Sequence, residues 1–410
     1  MISRICYRLG VAAYHASICL AARLGHRKAG QWVRGRKNLF EHLARIMDED
    51  QRPLIWMHCA SLGEFEQGRP VLELLKKRQP GYFYLLTFFS PSGYEARKNE
   101  PLADGVSYLP PDNPENARKF VELTRPKLAL FVKYEFWMHY LEALKEASVP
   151  CILFSAVFRP NQIFFKAYAP VFRDILRSFD LLIVQDADSE TLLKKIGIEK
   201  TMTAPDTRFD RVRHIAQSAF THKGFESPGQ RRKIILAGSI WPSDLPLLQR
   251  LNPGQITLVI APHEIDEGNI RTIAAAFDRE VVRSSRWEGP WPEEAVIIMD
   301  HMGQLAGAYR YADLAIIGGG YGRGIHNILE AAVYGIPLAY GPRHQKFIEA
   351  RELLQAGAAL SDSPEKLARA INELLKDEKR LKEMGAISKN YVHSHLGGSE
   401  QIVKAAEGYL

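Results

Sequence analysis

Leu314-Ala-Ile-Ile-Gly-Gly-Gly-Tyr-Gly-Arg-Gly-Ile-His-Asn-Ile-Leu-Glu-Ala-Ala-Val-Tyr-Gly-Ile-Pro337 decides the fold. The apolar run Leu314–Ile317 reads as a buried strand. Five glycines in seven residues follow, and His326-Asn327 opens a helical pattern that ends at Gly335. Strand, glycine turn and helix start together suit an anion. Glycines let the backbone approach closely, and the first helical turn has free N–H groups. Gly318, Gly319 and Gly320 are therefore the expected phosphate loop, with Glu330 one turn further on, where a carboxylate meets ribose hydroxyls. The competing explanation is a tight strand-to-helix turn with a solvated Glu330.

Working outward, the same unit recurs on both sides. In the second half, Lys233–Ala237 leads into Gly238-Ser239, and Trp241-Pro-Ser-Asp244 opens a helix. Ile256–Ile260 leads into Ala261-Pro-His-Glu264, Ala295–Met299 into Asp300-His-Met-Gly-Gln304, and Ile336–Tyr340 into Gly341. In the first half, strands read at Leu54–His58, Tyr82–Thr87, Val106–Leu109, Leu128–Val132, Cys151–Phe154, Leu181–Val184 and Thr201–Thr203. Helical patterns lie between them, one of them Ala167–Ser178. Strand–helix alternation with apolar strands implies parallel sheets covered on both faces. Polar residues cluster just past strand ends, where open α/β sheets bind ligands. Glu64 is one of them. Ser61 and Glu64 also have capping-box spacing, which gives Glu64 a purely structural explanation as well.

The chain has 410 residues, which favours two domains. The boundaries fall at a segment 1–40, a Rossmann-like domain 41–214, a linker 215–232, a second Rossmann-like domain 233–395, and a carboxyl-terminal helix 396–410. Four scattered cysteines, without CxxC or Cys/His clusters, indicate neither zinc nor a disulfide framework. No Asp-x-Asp pair sits at a strand end, so neither a metal nor another cofactor is expected. A net charge of +7 favours an acidic partner. Residues 1–40 carry eight Lys/Arg and no Asp or Glu around the apolar run Leu9–Ala22. As a 14-residue helix that run is about 21 Å long, short of a bilayer core. It suits a helix lying in an anionic leaflet; a core helix, a cleaved signal peptide and a single span are the alternatives. Nucleic acid is not expected, because the basic residues lack interleaved stacking aromatics.

His58-Cys-Ala-Ser-Leu-Gly-Glu64 resembles the motif around the catalytic glutamate of 3-deoxy-D-manno-octulosonic acid (Kdo) transferases. Phe131-Val-Lys-Tyr-Glu-Phe-Trp137, Asp206-Thr-Arg-Phe-Asp210, Ala261-Pro-His263 and His326-Asn-Ile-Leu-Glu330 resemble the same family, in order over nearly the whole chain. The resemblance implies an inverting transferase of the two-lobed GT-B fold with an interlobe cleft. Such an enzyme moves Kdo from CMP-Kdo to a lipid A precursor, lipid IVA, at the cytoplasmic face of the inner membrane. It implies Glu64 as proton acceptor and Pro262, His263, Met302, Gly303, Gln304, Asn327, Ile328, Leu329 and Glu330 as CMP contacts. Glu135, Ser61 and Gly63 fall on the acceptor or transition-state side. Gln304 stands where many members have Glu, and Lys133-Tyr134 replaces a more usual acidic partner before Glu135. Transfer from another sugar nucleotide, or membrane-docked nucleotide binding without turnover, are the alternative functions.

Overall fold

Two seven-stranded parallel sheets carry the chain among the residues described in this computed structural model, namely 2–48, 50–166, 169–225, 232–292 and 294–410. The first sheet is built from β1 (Leu54–Cys59), β2 (Phe83–Phe88), β3 (Gly105–Tyr108), β4 (Pro126–Val132), β5 (Cys151–Ala156), β6 (Leu181–Val184) and β7 (Thr201–Thr203). The second uses β8 (Lys233–Ile240), β9 (Ile256–Pro262), β10 (Val281–Arg283), β11 (Val296–Ile298), β12 (Leu314–Ile317), β13 (Leu338–Tyr340) and β14 (Ala359–Ser361). Their orders are β3-β2-β1-β4-β5-β6-β7 and β10-β11-β9-β8-β12-β13-β14. Each order reverses beside the first strand of its sheet, between β1 and β4 and between β8 and β12. Those are the switch points where doubly wound sheets open a crevice. The short edge strands β10 and β14 are absent from the sequence reading.

The chain divides into two compact units. One comprises residues 1–211 with 396–410, the other 212–395. The division falls inside the helix Thr207–Gln217, which runs past the point where apolar periodicity fades at Ile215. Residues 226–231 of the expected linker lie outside the described residues, as do 167 and 168 of the expected helix Ala167–Ser178, which runs Pro170–Arg177.

In the first unit, alternate residues of β1 enter opposite cores. Leu54 and Trp56 join Phe120, Phe131 and Tyr140. Ile55 and Met57 join Val71, Leu72 and Leu75 of the helix Leu62–Arg78, together with Ile402, Val403 and Ala406 of the last helix, Gly398–Glu407. This is the two-residue period of a strand buried on both faces. Asp210 secures the returning segment: its carboxylate accepts from the Gly397 and Ser399 N–H groups at 2.8 and 2.7 Å. Thr207 donates to the Gln67 carbonyl at 2.6 Å. The Asp206–Asp210 motif thus ties the last helix into this unit.

The amino-terminal helix spans Ile2–Arg23, 22 residues, not the 14 of its apolar run. That is about 33 Å. Its stretch Arg4–Arg23 has the length and composition to cross a membrane, with a mean hydropathy of 1.3 and none of it buried. The expectation of too short a helix is corrected here; helical geometry continues through the flanking Arg4 and Arg8 because nothing in Ile2–Leu9 breaks it. Tyr7 holds the helix to the first unit, donating to Asp112 at 2.6 Å. Ile5, Leu9 and Leu20 stay exposed.

Candidate active site

In the first unit, β1 ends at Cys59 and the chain stays extended through Ser61 before the helix Leu62–Arg78 begins. Glu64 lies in its first turn, half-buried. The capping box does not form. Ser61 makes no side-chain bond to the helix N–H groups, and its hydroxyl instead donates to Glu64 Oε2 at 2.7 Å. Among the described residues, no Lys or Arg pairs with Glu64. Gly63 is exposed, and a Cβ there would meet only the Ser61 hydroxyl, at 3.9 Å, so space does not demand this glycine.

Glu135 follows β4, the neighbour of β1. It is not on an open acceptor surface: it is 4% exposed. Its Oε2 lies 2.9 Å from His58 Nε2 and accepts from Trp137 Nε1 at 2.6 Å. A buried carboxylate persists only with such donors. His58 is itself fully buried, with Nδ1 2.9 Å from the Thr87 hydroxyl, which accepts from Trp56 Nε1 at 2.7 Å. Glu135 therefore anchors the interior behind the end of β1.

In the second unit, three flat rings meet beyond the carboxyl ends of β8, β9 and β12. Trp241 stacks on His263 with centroids 4.4 Å apart, and His263 on His326 at 4.3 Å. Trp241 Nε1 donates to His326 Nε2 at 2.9 Å. Burial, then the neighbouring His263, lower the His326 pKa to about 4. The geometry agrees, since protonation would set an N–H donor against a donor. The neutral form is thus favoured in the fold, and stability from this group is complete above about pH 6.5 and falls as the pH drops toward 4. We expect roughly 1–2 kcal/mol of acid sensitivity from it after discounting for solvent. Thermal unfolding at pH 7 and pH 4.5 checks this: His326→Phe should reduce the difference between the two, and an unchanged difference would refute it. Trp241 and His326 were not among the expected contacts, although both stand just past strand ends.

The glycine loop differs from expectation. Gly318 N–H donates to the Gly238 carbonyl at 2.8 Å, and Gly319 N–H to the Asp244 carboxylate at 2.8 Å. Asp244 is 2% exposed and also accepts from the Trp241 N–H at 2.9 Å. Burial pushes its carboxyl pKa up, opposed by the backbone N–H groups of Gly319, Trp241 and Tyr321. Two of the three amides assigned to phosphate are thus already occupied, one of them by an internal anion. The following helix is also only Leu329–Ala332; the backbone from Gly324, at φ +114°, to Ile328 is irregular. A four-residue helix has almost no dipole to offer. Asn327 precedes its N-cap, Ile328, accepting from Leu329 N–H at 3.2 Å and donating to Glu330 at 2.9 Å. Ile328 and Leu329 are buried, which leaves them only backbone atoms to offer a ligand.

Met302 and Gly303 lie exposed in the loop after β11, Gly303 with φ +81°, and the Gln304 side-chain oxygen is buried without a partner. Pro262 ends β9 and aims His263 into the ring stack. Among the described residues, no group of three or more His, Cys, Asp or Glu is placed to hold a metal ion.

A family model described as 3-deoxy-D-manno-octulosonic-acid transferase matches residues 37–211. The chain is 29% identical to the 3-deoxy-D-manno-octulosonic acid transferase of Aquifex aeolicus, over 84% of this chain and 93% of that one. It is 27% identical to the enzyme of that name from Bordetella pertussis, over 95% of each. Among solved structures, UDP-GlcNAc 2-epimerase from Neisseria meningitidis, bound to UDP-GlcNAc, is similar at a TM-score of 0.58 and 14% identity, covering 86% of this chain and 99% of that one. MurG from Acinetobacter baumannii is similar at 0.52 and 14%, covering 87% and 100%. At these identities the structural likeness speaks for the GT-B fold alone. The chain is thus similar to Kdo transferases through a family model over its first unit and relatives that run the length of both units, and it is a glycosyltransferase.

Proposed function

We propose that this protein transfers Kdo from CMP-Kdo to a lipid A precursor, lipid IVA, in lipopolysaccharide biosynthesis, with inversion at the anomeric carbon. Glu64 takes the proton of the acceptor hydroxyl. The hydroxyl oxygen bonds to the anomeric carbon as the bond from that carbon to the CMP oxygen breaks, and CMP departs as a phosphate monoester anion. The observation that carries the reading is the state of Glu64. It is half-buried at a sheet switch point, held on one oxygen by Ser61 and paired with no cation among the described residues. A base must keep a lone pair available and be aimed by a neighbour.

On the donor side, the reading assigns CMP to Pro262, His263, Met302, Gly303, Gln304, Asn327 and Glu330, with backbone contacts from Ile328 and Leu329. With the Gly318 and Gly319 amides engaged, the leaving phosphate needs another positive partner. Arg323, exposed and 5.6 Å from the Trp241 ring centre, is assigned that charge. The exposed apolar side chains of the amino-terminal helix and its arginines support seating at the cytoplasmic face of the inner membrane, where an anionic lipid acceptor resides.

The test is mass analysis of product after incubation with CMP-Kdo and tetraacylated lipid A precursor. One or more added Kdo masses, with matching CMP release, is the expected result. No added mass, or stronger thermal protection by UDP than by CMP, would overturn the donor assignment.

A further inference from the structure

A cavity of about 450 Å³ lies in the first unit where the amino-terminal helix meets the helices Pro114–Thr124 and Met138–Glu146. Four cations line it: Arg4, Arg8, Arg118 and Lys145. The carboxylates facing them are Glu142 and Glu146. Glu142 is engaged by Arg4 at 3.0 Å and lies 3.3 Å from His139 Nδ1. Among the described residues, Arg8, Arg118 and Lys145 have no carboxylate partner. His139 also lines the cavity. It is 2% exposed, and its Nε2 is buried with no hydrogen-bond partner. An unpartnered buried ring nitrogen is costly and calls for a ligand.

We infer that this cavity is a headgroup site, taking the phosphate of an anionic phospholipid. The fit is chemical and positional. A phosphate oxygen accepts from guanidinium and ammonium alike, and with the ring N–H on Nδ1 toward Glu142, Nε2 accepts from a headgroup hydroxyl. Two of the cavity's arginines, Arg4 and Arg8, stand on the same helix as Ile5 and Leu9, which are 50% and 64% exposed. Apolar side chains that enter the acyl boundary set neighbouring cations at headgroup level. A free phosphate in the cytoplasm would use the charges but give those exposed side chains nothing to cover. The cavity shares no lining residue with Glu64 or with the ring stack, and it requires of the proposed function only that a membrane is the working surface.

The test uses the full chain and vesicle sedimentation, with no donor and no turnover, so its failure leaves the transfer reading standing. Phosphatidylglycerol vesicles should bind and phosphatidylcholine vesicles should bind much less. The pair Arg118→Ala/Lys145→Ala should weaken phosphatidylglycerol binding by about tenfold or more. His139→Phe, which removes no fixed cation, should weaken it severalfold with an unchanged melting temperature. As a control, Arg23→Ala/Lys28→Ala removes two cations outside the cavity and should cost clearly less. Equal losses in both pairs would mean diffuse surface charge and overturn the site. So would thermal protection by inorganic phosphate that the vesicles do not compete away, which would make it a site for free phosphate.

Discussion

Glu64→Gln cuts sugar transfer by orders of magnitude while the protein stays folded. The amide has the shape of the carboxylate and still accepts the Ser61 hydroxyl now bonded at 2.7 Å. Its loss of charge in a first helical turn costs only about 0.3–1 kcal/mol. The amide cannot take a proton. General-base catalysis is typically worth about 10²–10⁴-fold, and turnover should fall by that range. CMP release from CMP-Kdo in the presence of acceptor reads it out. CMP affinity, measured alongside, should not change, because the residues assigned to CMP belong to the other unit. Ser61→Ala keeps the base and loses its aim, so its loss should be much smaller than that of Glu64→Gln. Turnover in Glu64→Gln within tenfold of the parent would remove Glu64 from the chemistry.

What the sequence made legible follows from how local the cause was. Both sheets could be read because their central strands are continuous apolar runs, buried on both faces, as in Leu54–Cys59 and Ile256–Pro262. The edge strands Val281–Arg283 and Ala359–Ser361 could not; each is three residues long with one residue buried, and length and burial alone do not explain it, since the equally short edge strand Thr201–Thr203, with none buried, was legible. The position of Glu64 at a strand end was local and legible. Its bond to Ser61 was not, because the same spacing also encodes a capping box, and only the Ser61 rotamer separates the two. The glycine loop was misread for a longer-range reason. Asp244, which fills the Gly319 amide, lies 75 residues earlier in the chain. The His326 stack likewise depends on Trp241 and His263, brought to it by two other strands. Adjacency at a sheet edge is set by strand order, and strand order is not written in any one segment.

Gly320→Ala should be strongly destabilising, and the reason is space. A Cβ on Gly320 would lie 2.4 Å from the Gly341 nitrogen and 2.7 Å from its Cα; one on Gly341 would lie 2.5 Å from the Gly320 carbonyl carbon. All of these are backbone atoms, so no rotamer can relieve the overlap. Relief requires β12 and β13 to part just beyond Ile317 and Tyr340, the last residues of their parallel register. Overpacking that shifts backbone costs about 1–3 kcal/mol and occasionally more, and a clash at a strand junction belongs at the upper end, about 3 kcal/mol. Gly322→Ala provides the contrast. Its nearest neighbour is the Ser243 hydroxyl at 3.0 Å, a side-chain atom that can turn away, so the change should be within about 0.5 kcal/mol of neutral. Denaturant unfolding of the full chain compares them. If the two variants are equally stable and Gly320→Ala instead loses only CMP affinity, the glycine is there for the ligand's approach and not for the crossing of two chains. Loss of stability first, with CMP affinity falling only in step with the folded fraction, is the outcome that the Gly320–Gly341 contact and the occupied Gly318 and Gly319 amides require.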